Sequence, residues 1–492
     1  MLVGREEERK KLLELYDSDS AEFVAVYGRR RVGKTFLIDE TLNDRITFRH
    51  SGLSPVDLAD GDAAKKGRMK EQLEHFRRSL QTQGLEDCET PSSWLDAFFL
   101  LEKLLINKGG KGKRLLVFLD EIQWLDTPKS GFMTGLEAFW NGWASHRHDV
   151  MLVVCGSSTS WILDKLVDNH GGLYGRLTYQ IELRPFNLGE CEEFFTSKGF
   201  SWSRYDIVQA YMTAGGIPYY LNYFDRTRSV PQNIQAVFFD KTAPLKDEFG
   251  RLFSSLFTNP GTMKSIVVAL NSKSRGLTRN ELLSKISVAD SGAFSSQLKA
   301  LESGGFIIKY RSFGAGKRDS LYKLSDPFCL FFLKFVGGDS AKRKSSWINI
   351  ADSQSATSWK GLAFENVCFN HIDQIKAALG ISGVRTDESL WSKKGTKEAE
   401  GAQIDLIIER KDAVVNMCEI KFYSDEFVAD KECHFALSRR ERALREIIPK
   451  KASIYNTLIT TFGLKRTEYF GDFVSVVTLD DLFQNPRPRR CG

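Results

Sequence analysis

Residues 23–35 read FVAVYGRRRVGKT, and this stretch decides the fold of the first part of the chain. Five mostly β-forming residues, Phe23–Tyr27, run into Gly28. Arg29, Arg30, Arg31 and Val32 follow, then Gly33-Lys34-Thr35 and the apolar Phe36, Leu37 and Ile38. The spacing G-x-x-x-x-G-K-[ST], set between a strand pattern and a helix pattern, is that of a phosphate-binding loop. The chemistry needs each residue type. The glycines let the backbone curl so that its N–H groups face phosphate oxygens, and the following helix adds its positive end. Lys34 supplies a point charge for the β- and γ-phosphates, and the Thr35 hydroxyl is a magnesium ligand. Residues 28–35 are therefore expected to bind ATP with Mg2+.

Residues 115–121, LLVFLDE, form the second anchor. A continuous apolar run of this length reads as a parallel strand buried on both faces. Acids at its C-terminal end lie where open α/β sheets place their ligands. Asp120 is expected to hold magnesium through water, and Glu121 to orient and polarise the water that attacks the γ-phosphate. An acid directly after the magnesium acid favours hydrolysis. It disfavours a small-molecule kinase, as do the large accessory regions.

A chain of 492 residues has room for about three or four domains. Hydrophobic residues make up 42% and charged residues 27%, an ordinary globular mixture. The net charge, 69 basic minus 63 acidic, is +6, which permits a nucleic-acid partner without demanding one. The eight cysteines show no C-x-x-C pair or zinc-like spacing, so reduced thiols of a cytoplasmic protein are expected. The start, MLVGREEERKK, is charged from Arg5 onward and predicts no signal peptide. The longest apolar runs, such as Phe328–Phe335, are too short to span a bilayer, so no membrane partner is expected.

Around the two anchors the patterns continue. Leu2-Val3-Gly4-Arg5-Glu6 precedes a helix with Leu12, Leu13 and Leu15 on one side. Arg45–Arg49 reads as a strand, residues 51–90 as loop plus an amphipathic helix near Gln72–Leu80. Trp94–Leu105 reads as a core helix turning Leu95, Phe98, Phe99, Leu101, Leu104 and Leu105 inward. Met151–Cys155 is another buried strand, ending in Gly156-Ser157-Ser158. Leu173-Tyr174-Gly175-Arg176-Leu177 leads to a strand at Tyr179–Leu183 and then Arg184-Pro185-Phe186. VGRE, GRRRVGKT, LLVFLDEIQWL, VVCGSS, LYGRLTYQIELRPF and GGIPYYL, in this order over about residues 1–240, together resemble the archaeal-type ATPase family of the AAA+/STAND P-loop NTPases. The resemblance implies that the VGRE segment packs over the adenine. It implies that Ser157, rather than Ser158, is the "sensor 1" residue contacting the γ-phosphate. It also implies that Arg176 is an arginine finger acting on a neighbouring subunit's nucleotide, so a homo-oligomer is expected. Gly215-Gly216-Ile217-Pro218 falls in a helical lid, where glycines and a proline break a helix.

The middle reads as a winged helix-turn-helix. Ile266–Leu270 is a helix core, Thr278-Arg279-Asn280-Glu281 is a capping box for the helix Glu281–Lys285, and Phe294, Leu298 and Leu301 mark a third helix closing on Gly304-Gly305. Two strands, Phe306–Tyr310 and Leu321–Leu324, flank a tip with Gly314, Gly316, Lys317 and Arg318. Ser295, Ser296, Gln297 and Lys299 would face a DNA major groove, with Lys317 and Arg318 near phosphates. Packing is the competing role for such a module.

In the last third, Glu365 lies on a helix pattern with Leu362, Val367 and Phe369. Gln403–Ile408 is a strand carrying Asp405, and Val414–Lys421 is a strand carrying Glu419 and Lys421. A turn at Arg410–Asp412 pairs the two strands and brings Asp405 to Glu419, while Lys421 shares the face of Glu419. Two carboxylates can hold magnesium, and the lysine can polarise the attacking water. This D…E-x-K arrangement resembles the PD-(D/E)xK, or restriction-endonuclease-like, fold, although Gln403 stands where relatives often carry Glu. A solvated ion pair is the plain alternative. The basic run at 439–451 reads as a solvated helix face that would also suit a phosphate backbone.

The expected fold class is thus α/β and multidomain. A P-loop AAA+ core spans 1–186, a helical lid 187–260, a winged helix 261–336 and a restriction-endonuclease-like domain 337–492. The expected function is ATP hydrolysis governing a DNA-directed C-terminal half, with Asp405, Glu419 and Lys421 supplying metal-dependent cleavage. The alternative is a nucleotide-dependent signalling or scaffold switch whose terminal domain recognises a partner without cutting.

Overall fold

A computed structural model describes residues 2–54, 62–110, 112–168, 171–257, 260–314, 320–337, 346–393 and 401–485. The chain divides into two units, Met1–Pro185 with Ser254–Thr258, and Phe186–Phe253 with Asn259–Gly492.

The first unit is built on a parallel five-stranded sheet. Its strands are β1 (Glu22–Tyr27), β2 (Ile46–Ser51), β3 (Leu115–Asp120), β4 (Val150–Gly156) and β5 (Tyr179–Glu182), in the order β2-β3-β4-β1-β5. Every residue of β1 and β4 is buried, as is β3 up to Leu119. Burial on both faces is why these strands read as unbroken apolar runs. The pairings Tyr27↔Gly156 and Leu119↔Val154 align the carboxyl ends of three neighbouring strands. The loop after β1, the acids after β3 and the serines after β4 therefore emerge at one edge of the sheet.

Helices cover the faces. In Asp62–Thr82, Leu73, Phe76 and Leu80 are buried, so the helix extends well beyond the expected 72–80 core. Trp94–Lys108 starts on a cap in which the Ser93 side chain accepts from the Asp96 amide. Its inward face is Trp94, Ala97, Phe98, Leu101, Leu104 and Leu105. Leu95 and Phe99, expected in the core, are 50% and 54% exposed. The sequence offers more apolar positions than one helical stripe can turn inward. In Glu6–Tyr16, Leu12 and Leu15 are buried and Leu13 only half so. Arg5, just ahead of it, is itself buried and donates from Nη2 to the Arg184 carbonyl at 2.6 Å.

In the second unit, helices Leu188–Ser197 and Arg204–Ala214 each open on a capping box, Asn187 with Glu190 and Ser203 with Asp206. Gly215 follows at φ 66°, and a methyl group on Gly216 would lie 1.9 Å from the Phe186 carbonyl oxygen. The glycine pair is thus required by a close backbone approach. Helices Pro260–Leu270, Arg279–Ile286 and Gly292–Ser303 come next, the second opening on the Thr278/Glu281 capping box. They accompany three antiparallel strands, β6 (Leu277–Thr278), β7 (Ile307–Arg311) and β8 (Ser320–Leu324), ordered β6-β8-β7. The short β6 adds to the expected pair. Gly316, Lys317 and Arg318 of the tip lie outside the described residues.

A second five-stranded sheet ends the chain: β9 (Thr386–Lys393), β10 (Ala402–Arg410), β11 (Val414–Lys421), β12 (Ser453–Thr460) and β13 (Ser475–Val477). The pairs β9/β10 and β10/β11 are antiparallel, and β11/β12 and β12/β13 are parallel. Helix Gln354–Asn370 carries Glu365; it buries Ala363, Phe364, Val367 and Cys368, while Leu362 is exposed. Among the described residues no helix is long and apolar enough to cross a membrane. The seven described cysteines are free thiols.

Candidate active site

The loop after β1 curls through left-handed backbone at Arg31 (φ 73°) and Gly33 (φ 95°), with Gly28 at φ 146°. Gly28 has no room for a side chain, because a methyl group there would sit 2.1 Å from the Leu183 carbonyl oxygen. Arg29 and Val32 are buried, whereas Arg30 and Arg31 are half-buried. Lys34 opens the helix Lys34–Leu42 and is itself buried. Its Nζ donates to the carbonyls of Gly28 and Arg29 at 2.9 and 3.0 Å, so the ammonium lies within the curl. Burial lowers its proton affinity, opposed by Cys155, Glu121 and Asp120.

At the strand ends, Thr35 Oγ1 donates to Asp120 Oδ2 at 2.8 Å. Burial raises the Asp120 carboxyl above its ordinary range, against that hydrogen bond. A hydroxyl and a carboxylate in contact are hard oxygen donors of the kind magnesium takes, and Asp120 gains from a nearby cation. The two residues fit a magnesium ion held between them and the phosphates. Glu121 steps off the strand into left-handed backbone, φ 45° and ψ 47°. That conformation costs an L residue about 1–2 kcal/mol, and here it aims the side chain across to β4. Oε2 of Glu121 accepts three bonds: Ser157 Oγ at 2.7 Å, the Ser157 amide at 3.1 Å and Gln123 Nε2 at 2.5 Å. Gln123 also donates to Ser157 Oγ at 3.2 Å.

A second cluster sits on the C-terminal sheet. The β10/β11 register pairs Leu406 with Cys418, and one step further on the Ile420 amide donates to Asp405 Oδ2 at 3.3 Å. Glu419 is buried, and both its oxygens are bound by cations: Oε1 by Lys421 Nζ at 2.7 Å and Oε2 by Arg440 Nη1 at 2.6 Å. Arg440 comes from helix Lys431–Arg445. The expected solvated face is therefore wrong for Arg440, which turns inward because Glu419 would otherwise be a buried acid with a single partner. Glu365 and Asp405 are pushed up, to about 7 and about 6, by burial and by the neighbouring carboxylates. Among the described residues no three His, Cys, Asp or Glu side chains are arranged as a ready metal cage.

The strand order, the curled loop with its lysine, and the acids facing it agree with the first part of the chain as a nucleotide site. Residues 2–224 match the family described as an ATPase domain predominantly from Archaea. The chain is also 25% identical over 381 residues to the uncharacterized protein MJECL04 of Methanocaldococcus jannaschii, covering 75% of this chain and 76% of that one. Among solved structures, the Walker-type ATPase PABY2304 of Pyrococcus abyssi aligns at TM-score 0.45 and 18% identity, over 68% of this chain and 96% of the other. The Aeropyrum pernix ORC2 protein aligns at TM-score 0.40 and 12% identity, over 70% and 96%.

Within residues 2–224 the structure gathers Lys34, Thr35, Asp120, Glu121 and Ser157 at the carboxyl ends of the strands, and Ser157 rather than Ser158 touches Glu121. Gln123 was not singled out in the sequence; a polar side chain two residues past the acid is its one signal. Arg176 is exposed, in a turn closed by its amide on the Leu173 carbonyl, and its side chain meets none of these residues. On the helix Gly292–Ser303, Ser296 and Lys299 are exposed and Gln297 is half-buried, while Ser295 Oγ accepts from Arg279 at 2.9 Å.

Proposed function

We propose that the chain is an ATP hydrolase of the AAA+/STAND type whose nucleotide state controls a DNA-directed C-terminal half. The observation that carries the reading is the meeting of a buried Lys34 inside the loop, the Thr35–Asp120 contact and a Glu121 carboxylate pinned by Ser157 and Gln123. Lys34 would bind the β- and γ-phosphates, and Thr35 and Asp120 would hold magnesium. The ion, when bound, draws charge from the phosphate oxygens. Glu121 takes the proton of the attacking water, and Ser157, which reports on both Glu121 and the γ-phosphate, links nucleotide state to the acid. Arg176, exposed ahead of β5, is free to complete the site of a neighbouring copy.

In the second unit we read helices 260–303 with β6–β8 as a winged helix and the terminal sheet as restriction-endonuclease-like, with DNA as partner. Asp405 and Glu419 are the metal-binding pair and Lys421 the water-polarising group. A second reading has its own support. Lys421 and Arg440 already occupy both oxygens of Glu419, which favours a terminal domain that recognises without cutting, driven by a nucleotide-dependent switch. One experiment separates them: the full chain is incubated with DNA, ATP and magnesium or manganese, beside Lys421→Ala. Cleavage lost in the variant supports the nuclease; intact DNA with ATP-dependent oligomers supports the switch. No ATP turnover by the wild-type chain overturns the hydrolase reading, and no ATP binding overturns both.

A further inference from the structure

The second unit contains a cavity of about 720 Å³ that neither reading uses. It lies beside the end of helix Pro260–Leu270, strand β8 and the start of helix Gln354–Asn370. Two of its lining side chains stand out. Lys323, on β8, is 3% exposed, yet among the described residues no hydrogen bond or ion pair reaches its ammonium; its neighbour is the Phe369 ring, 4.9 Å from Nζ. Asn366, 4% exposed, has a buried Oδ1 with no partner.

Burying an ammonium that no hydrogen bond or ion pair reaches, and an amide oxygen without a donor, costs stability. Burial does lower the charge affinity of Lys323, while Glu365 and Asp405 oppose it. Unpaired polar groups facing a shared cavity are what a binding site retains at the expense of stability. The acid Glu365 also lines the cavity, but Lys273 and Lys334 join Lys323 there, so the wall carries more cations than acids. Gln354 and Ser355, in the first turn of a seventeen-residue helix, place its positive end there. Trp359 adds an aromatic wall, and the volume is in the range of sites that enclose a small molecule of about 300–1,000 Å³.

We propose that this cavity binds a phosphate-bearing small molecule of nucleotide size, with the Lys323 ammonium on its phosphate and Asn366 on its base or sugar. The site is separate from the phosphate-binding loop and does not rest on the ATPase reading. The test uses the full chain carrying Lys34→Ala, which silences the loop, titrated calorimetrically with AMP, CMP, pyrophosphate and inorganic phosphate. Lys34→Ala/Lys323→Met is titrated in parallel. At least one of the monophosphates binds, and Lys323→Met weakens it by about tenfold or more, the loss of a charge-assisted contact. The thermal midpoint without ligand is unchanged or raised by Lys323→Met, because an apolar chain of similar length replaces a buried charge that no hydrogen bond or ion pair reaches. Tight binding of pyrophosphate or phosphate alone would narrow the ligand to its phosphate and overturn the base or sugar contact. No binding of any probe, equal affinity in the variant, or a lowered midpoint overturns the proposal.

Discussion

Replacing Glu121 by glutamine tests the chemistry of the nucleotide site with little disturbance of its structure. Three donors converge on one oxygen, Oε2, from Ser157 Oγ, the Ser157 amide and Gln123 Nε2. The glutamine carbonyl oxygen is isosteric and accepts from the same three, with its amide nitrogen turned to the other position. Each bond then loses its charge assistance but is not left unmade, so stability should change by less than about 2 kcal/mol. The loop, Lys34 and Thr35 are untouched, and ATP affinity should stay within about threefold. What disappears is the proposed base. Loss of a positioned general base lowers turnover by about 10²–10⁴-fold. The assay is single-turnover and steady-state phosphate release by Glu121→Gln and wild type at saturating Mg–ATP, with nucleotide affinity and thermal midpoint measured on the same preparations. Equal turnover in the two proteins would refute the role of Glu121. A loss of affinity matching the loss of rate would show that the residue holds the loop and does not act on water.

Gly28→Ala forces a methyl group against the Leu183 carbonyl at a backbone angle L residues avoid, and should cost about 3 kcal/mol or more. In a unit of this size the midpoint would fall by roughly 6–12 °C; an unchanged midpoint by calorimetry contradicts the close approach. The acid that helix Gln354–Asn370 sets beside the terminal sheet gives a pH signature. Glu365 rises from 4.5 to about 7 in the fold, through burial and Asp405 in spite of Lys323 and Lys421, so the native state holds its proton where the unfolded chain has released it. Its contribution is full below about pH 4.5 and is lost as pH rises through 7, and stability should fall across that window. Glu365→Gln should flatten the fall seen by denaturant titration; an unchanged slope would place the titration elsewhere.

The parts of this fold legible in the sequence are those where local pattern and tertiary environment agree. The strand leading into the loop is apolar from Phe23 on, and its neighbour β4 is apolar along its length, because both faces are covered; Thr278 announces its helix through a capping box that stands in the structure. Asp405 and Glu419 could be paired from the sequence because a short turn fixes the register of two adjacent strands. What escaped lies in contacts between elements far apart in the chain. The hold of Ser157 and Gln123 on Glu121 depends on β3 and β4 being neighbours. Arg440 sits in a run of like charges that, by spacing alone, faces water; only its helix's placement turns it to Glu419. Lys323 occupies an alternating strand whose polar face happens to be enclosed, so its burial has no local signal. Leu95 and Phe99 misled in the opposite sense, because an apolar residue next to a filled stripe remains outside.

The central claim is that the curl holding Lys34 grips a triphosphate beside Asp120 and Glu121. Equilibrium titration of the full chain with Mg–ATP, against Lys34→Ala, addresses it directly. The account predicts saturable binding by the wild type that weakens at least about a hundredfold in the variant, the loss of a buried charge on phosphate. Wild-type protein that binds no Mg–ATP, or a variant that binds it equally well, would contradict it.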